Sequence, residues 1–201
     1  MRNFLAPAAG LLLALGGHGA LACDGKSEIE AAFAKQQKAP AWRTIAVSQG
    51  ENGSKQEQTF EYIPPDRMYR KILIVGQEPA VETIAIAKWA YGNQGNGWSE
   101  LQPPMAKMIA QHIQHVVTAP PKAGADFSCL GKVAYDGKDY LAYRTAPEKT
   151  DKGAELARTI YVDPATGLPA FNTIAEMKEG AEPLLKESYT YPTDIVIEKP
   201  F

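Results

Sequence analysis

The sequence predicts a mainly β, α+β fold of about nine to eleven antiparallel strands and two helices. Three observations carry that reading. Segments with a period of two recur every ~8–14 residues, separated by turns rich in Gly, Pro and Asn. Only two segments switch to helical spacing. No repeat, low-complexity run or linker divides residues 23–201, so one domain with one core is expected there.

Residues 1–22 read as an address. Arg2 opens the chain, residues 4–15 are almost all apolar, and Ala20-Leu21-Ala22 supplies a small-x-small cleavage site. The apolar run is too short for a bilayer core, which needs about 20 residues. A secretory signal peptide cleaved after Ala22 is expected, with the mature chain exported. Cys23 then has three readings: lipidation, a free thiol, or a disulfide with Cys129. The lipidation motif is imperfect, because Ala20 stands where a large aliphatic residue belongs. A disulfide suits an oxidising compartment. It would close a loop of roughly 107 residues, worth about 4–5 kcal/mol in the chain-entropy account.

Ser27-x-x-Glu30 is a capping box, and Ile29, Ala32 and Phe33 share one helical face, so a helix is expected over 27–38, stopped by Pro40. Strands follow at 42–48 and 55–63, joined by a turn holding Asn52-Gly53. Further strands are expected at 68–75, 82–91 and 98–101. Pro103-Pro104 starts the second helix, about 104–117, where Met105, Met108, Ile109, His112, Ile113 and Val116 keep the 3–4 spacing. Strands resume at 127–135 and 138–145 around Asp136-Gly137. Residues 149–154 read as a polar loop. The last strands are expected at 158–162, 168–177, 184–191 and 193–198.

Composition and motifs exclude more function than they assign. Of 201 residues, 45% are apolar and 22% charged, as in folded soluble proteins. Lys and Arg number 21 against 23 Asp and Glu, so the broad cationic surface that nucleic acid requires is missing and no such partner is expected. His112 and His115 have no metalloprotease spacing and no Ser or Cys elbow beside them, so neither a catalytic group, a metal site nor a cofactor is expected. Residues 92–97 are Gly-rich but lack the Lys and the following helix of a phosphate loop, and read as a hairpin turn. Arg67, Arg70 and Lys71 form a basic cluster, read as a solvated strand face or as contact with an anionic headgroup.

The positive signal is apolar excess. A one-sided antiparallel sheet alternates apolar and polar residues. Residues 72–75 (Ile-Leu-Ile-Val) do not, and residues 84–90 carry little polar surface beyond Lys88. Such strands need cover on both sides. The helices cover one side; a packed core or a cavity for an apolar ligand covers the other.

Several segments then carry a resemblance. Phe60-Glu-Tyr-Ile-Pro-Pro-Asp-Arg-Met68 runs into an apolar strand, and Gly97-Trp-Ser-Glu-Leu101 precedes the Pro-initiated helix. Cys129-Leu-Gly131, Tyr135-Asp-Gly-Lys138 and Ile160-Tyr-Val-Asp-Pro-Ala-Thr-Gly-Leu-Pro169 follow. This layout is similar to the LolA/LolB/LppX-like group of bacterial envelope proteins over most of residues 27–198. The resemblance implies a strongly curved sheet or incomplete barrel, with helices on its concave face and the second helix as a lid. It implies a periplasmic, non-enzymatic, monomeric protein that binds or carries a lipid or acyl chain, or alternatively an envelope sensor with a filled core and a protein partner. By location, Ile72, Ile74, Ile86 and Trp89 on the strands, and Met105, Met108 and Ile109 on the lid, match cavity-lining positions. Arg43 matches the arginine with which LolA-like carriers hold the lid, and Cys129 the partner of a disulfide to Cys23.

Overall fold

The computed structural model describes residues 23–50 and 53–201. The expected signal peptide and its cleavage site lie outside the described residues. Helix α1 is Gly25–Gln36, and β1 and β2, Trp42–Gln49 and Lys55–Ile63, form a hairpin. Strands β3 (Arg67–Ile74), β4 (Val81–Ile86), β5 (Trp89–Asn93) and β6 (Trp98–Glu100) follow, then α2 (Pro103–Ile113), which ends in a π-helical turn, Gln114–Thr118. The rest is strand: β7 (Phe127–Tyr135), β8 (Lys138–Thr145), β9 (Glu148–Lys149), β10 (Glu155–Val162), β11 (Pro169–Glu176) and β12 (Leu185–Thr190). Among the described residues no helix is long and apolar enough to cross a membrane.

All twelve strands belong to one antiparallel sheet, in the order β6-β5-β4-β3-β2-β1-β12-β11-β10-β8-β7, with β9 paired to β10 alone. The sheet is open; β6 and β7 are its edges. The return of β12 to β1 joins two meanders into one surface, and both helices lie on the same side of it. Strand β10 starts three residues earlier than expected and pairs with the short β9 that the sequence reading lacked, and three further differences have a visible local cause. The expected strand 82–91 is two strands, because Ala87 takes a positive φ of 54° and its N–H bonds the Asp66 carbonyl (3.0 Å). The expected strand 193–198 is instead a tail over β3–β5: Arg67 donates to the Ile197 carbonyl (3.0 Å), and Phe201 meets Tyr91 edge-on at 5.2 Å. Helix α1 begins two residues early because Asp24, not Ser27, caps it; the Asp24 carboxylate accepts from the Ser27 amide (3.2 Å). Glu30, freed from a capping box, accepts from the Ala123 amide (3.0 Å).

The helix-bearing face holds two apolar clusters. Under α1, Ile29 and Ala32 pack on Phe127, Tyr143, Ile160 and Val162. Under α2, Ala106, Ile113 and Val117 pack on Trp42, Tyr62, Met68, Ala85 and Ala90. A disulfide joins Cys23 to Cys129 with their Cα atoms 6.3 Å apart, fixing the start of α1 to β7. Gly25 lets this approach happen, since a Cβ there would collide with the Phe127 carbonyl. The outer face of the β7–β11 half carries a third cluster of Tyr140, Ala142 and Tyr161, with Tyr135 and Phe171 beside them and Lys186 over the last two rings.

Candidate functional site

Strand alternation decides which side chains reach the helix-bearing face. In β2 the polar Glu57, Thr59 and Glu61 face outward, leaving Phe60 and Tyr62 inward. The register then pairs Tyr62 with Met68, Phe60 with Arg70, Gln58 with Ile72 and Gln56 with Ile74. Met68, Arg70, Ile72 and Ile74 are therefore the inward set of β3. In β4 the inward set is Val81, Thr83 and Ala85, paired with Ile72, Arg70 and Met68.

Two of the cavities on this face share Phe60 and His112 as lining residues. The larger, about 700 Å³, lies between α2 and the β3–β6 end of the sheet. Its apolar wall is Met68, Val81, Leu101, Met105, Met108 and Ile109, and Arg70 is its cation. That volume falls within the range of about 300–1,000 Å³ that small-molecule sites occupy. Met105 and Met108 remain 47% and 58% exposed, so the apolar flank of α2 is only partly covered by protein.

The smaller cavity, about 390 Å³, lies between α1 and the end of α2. Its floor is polar and internally paired. Arg158 Nε donates to Asn172 Oδ1 (2.8 Å), Asn172 Nδ2 donates to Glu187 (2.5 Å), and the Tyr189 hydroxyl donates to the same carboxylate (2.7 Å). Burial and the Glu187 charge push the Tyr189 phenol well above its ordinary range.

Arg70 has a different setting. Its Nη2 donates to Gln58 Oε1 (2.8 Å) and its guanidinium lies 5.3 Å from the Phe60 ring centroid. Its Nε is buried without a hydrogen-bond partner in the protein. Burial lowers its pKa, and among the described residues no carboxylate pairs with it. His112 contacts the Tyr62 hydroxyl at 3.1 Å. Burial lowers the pKa of His112, and the Arg70 and His115 charges add to that, so the neutral imidazole is favoured. The Tyr62 phenol is pushed up by its own burial.

The residues singled out in the sequence separate into groups. Met105, Met108 and Ile109 line the larger cavity. Ile72 and Ile74 share the inward face of β3, and Ile72 pairs with the lining residue Val81. Ile86 falls on the outer face, one residue out of phase with Ala85. Trp89 is 40% exposed at the sheet margin, under Lys199 and beside Ala106 and Ala110 of α2. Arg43 also points outward and holds Glu61 (2.6 Å), so it does not reach α2 as the resemblance implied. Phe60, Val81 and Leu101 were not singled out, and Arg70 only as one of a basic trio. That trio is split: Arg67 serves the tail, Lys71 faces outward opposite Glu82, and Arg70 alone faces the cavity. Of residues 92–97 the first two end β5 and the rest form the β5–β6 turn, where the Asn93 side-chain Oδ1 accepts from the Gly95 and Gly97 amides (3.0 and 3.2 Å). Cys23, Glu28 and Cys129 lie close together, but both sulfurs are in the disulfide and offer no thiolate to a metal.

No protein-family model matches the chain, and no curated protein matches it. Solved structures do. LprF from Mycobacterium bovis superposes with a TM-score of 0.51 at 10% identity, over 88% of this chain and 96% of that one. The lipoprotein LppX from Mycobacterium tuberculosis superposes with a TM-score of 0.52 at 8% identity, over 86% and 97%. The fold is like that of LprF and LppX. At such low identity the likeness lies in the path of the backbone, and the LppX-like fold of this chain is furnished with side chains of its own.

Proposed function

We propose that the protein is a non-catalytic binder or carrier of an apolar ligand, exported to the bacterial envelope, and that the ligand lies in the cleft between α2 and strands β3–β6. One observation carries this reading: a cavity of about 700 Å³ walled by Met68, Val81, Leu101, Met105, Met108 and Ile109, with two of its methionines open to solvent. Apolar burial would drive binding, at about 0.8 kcal/mol for each methylene taken from water. Methionine suits such a wall, because its flexible thioether adapts to ligands of different shape. The Cys23–Cys129 disulfide supports an oxidising compartment, and the LppX-like fold is compatible with this use.

The test is loading. Purified protein, delipidated and then mixed with a long-chain alcohol, is analysed by native mass spectrometry. Retention of one alkyl ligand per chain is the expected result. Failure to retain any alkyl ligand overturns the proposal. A second reading, docking of a protein partner, is favoured by β7, an edge strand of nine residues whose outer side has no neighbouring strand among the described residues.

A further inference from the structure

We infer that the cleft selects an anionic, single-chain amphiphile, a fatty carboxylate, with its head on Arg70 and its chain along α2. This rests on the cavity reading above and names the ligand class for the same site. Among the described residues that line the cavity, Arg70 is the one cation and Glu82 the one carboxylate. The two form no ion pair. The Glu82 oxygens are taken by the Tyr69 hydroxyl (2.5 Å) and the Asn93 amide (3.2 Å).

The neighbours of Arg70 are neutral: Gln58, Phe60, Tyr62 and His112. Its buried Nε–H has no acceptor from the protein. Arg70 lines the cavity and among the described residues no carboxylate is paired with it, so a ligand that brings negative charge to its guanidinium is favoured there. A carboxylate supplies a flat pair of oxygens matching the guanidinium edge. It also balances the charge one for one. A phosphate monoester, carrying about −1.5 to −2 at neutral pH, would bring more negative charge than the single cation of this cavity balances.

The other polar arginine on this face shows the contrast. Arg158 is coupled through Asn172 to Glu187, so the smaller cavity already holds its own counter-charge and offers no equivalent demand for an anion. The apolar residues beyond Arg70, from Met68 and Val81 to Met105 and Met108, provide the path for the chain.

The experiment measures equilibrium binding of palmitate, hexadecanol and a lysophosphatidate of the same chain length to the wild type, Arg70→Met and Arg70→Lys. Wild type is expected to prefer palmitate over hexadecanol by roughly ten- to hundredfold. Arg70→Met should bring palmitate down to the hexadecanol level, and Arg70→Lys should restore part of the preference. Equal binding of palmitate and hexadecanol by the wild type overturns the anion assignment and leaves the cavity reading standing. A preference that survives in Arg70→Met also overturns it. Tighter binding of the lysophosphatidate overturns the carboxylate choice. No binding of any of the three overturns the cavity reading and this inference together.

Discussion

Helices α1 and α2 lie on the same face of one sheet, yet they are held in different ways. Helix α1 is tied by polar bonds along its length. Glu28 accepts from the Tyr143 hydroxyl, Glu30 from the Ala123 amide, and Lys35 donates to the Thr166 carbonyl. The disulfide fixes its start to β7. Helix α2 has Gln102 at its N-cap with no side-chain cap bond, and packs through the buried Ala106, Ile113 and Val117 with Ile109 and Val116 beside them. Its polar anchors come late: His112 to Tyr62, and Gln37 donating to the Val116 and Ala119 carbonyls (2.9 and 2.8 Å). The α1 half is tied along its length, although a cavity of about 390 Å³ opens beside it and Gln36 Nε2 is buried there without a partner; the α2 half is anchored mainly at one end and has a cation with no carboxylate partner beneath it. Binding sites draw on the less tightly held parts of a fold, and here the difference falls between two helices.

Substitutions sharpen this comparison, in order of expected effect. Ile160, buried under α1, should cost about 2–5 kcal/mol on change to alanine, read from chemical denaturation. Met108→Ala on α2 should stay within about 0.5 kcal/mol, because that side chain faces the cleft and solvent. A comparable loss at both sites would erase the distinction. Removing the disulfide with Cys23→Ser and Cys129→Ser should cost about 2–4 kcal/mol in the same measurement. Met108→Asp should lower affinity for an alkyl ligand roughly tenfold or more, with little change in stability, seen by ligand titration. Unchanged affinity there would place the ligand elsewhere.

The smallest effect is a pH dependence. His112 titrates below the ordinary histidine range in the fold, whereas in the unfolded chain it titrates near about 6.5. Between those two values the unfolded chain binds more protons. Stability should therefore fall as pH drops below about 6.5, with the loss complete once pH passes the folded value. His112→Gln should flatten that part of the stability–pH curve. An identical slope in both proteins would show that His112 is not burdened by its site.

The strands and turns were legible because their signals are local. Asp136-Gly137 and Asp163 to Gly167 name their turns, and the period of two names the strands on either side. The split at Ala87 was not legible, because a positive φ at alanine has no sequence mark. Nor was the fate of residues 193–198, whose apolar Ile197 suits a strand as well as a tail packed on β3. For the site, the helical spacing of Met105, Met108 and Ile109 put them on one apolar flank of α2, and it was the resemblance that related that flank to a cavity. The strand partners required a register. Once Ile63 is paired with Arg67 across the Pro64-Pro65-Asp66 turn, Phe60 and Arg70 must share a face, and so must Ile72 and Ile74. Ile86 and Arg43 were misplaced for the same reason: one step along a strand reverses the side a residue faces.

The most direct test of the account is where a bound chain touches the protein. A long-chain alcohol carrying a photoreactive diazirine, loaded and irradiated, should label peptides containing Met68, Leu101, Met105, Met108 and Ile109. Labelling confined to the α1 half of the face, or to the outer aromatic cluster around Tyr135 and Phe171, would contradict it.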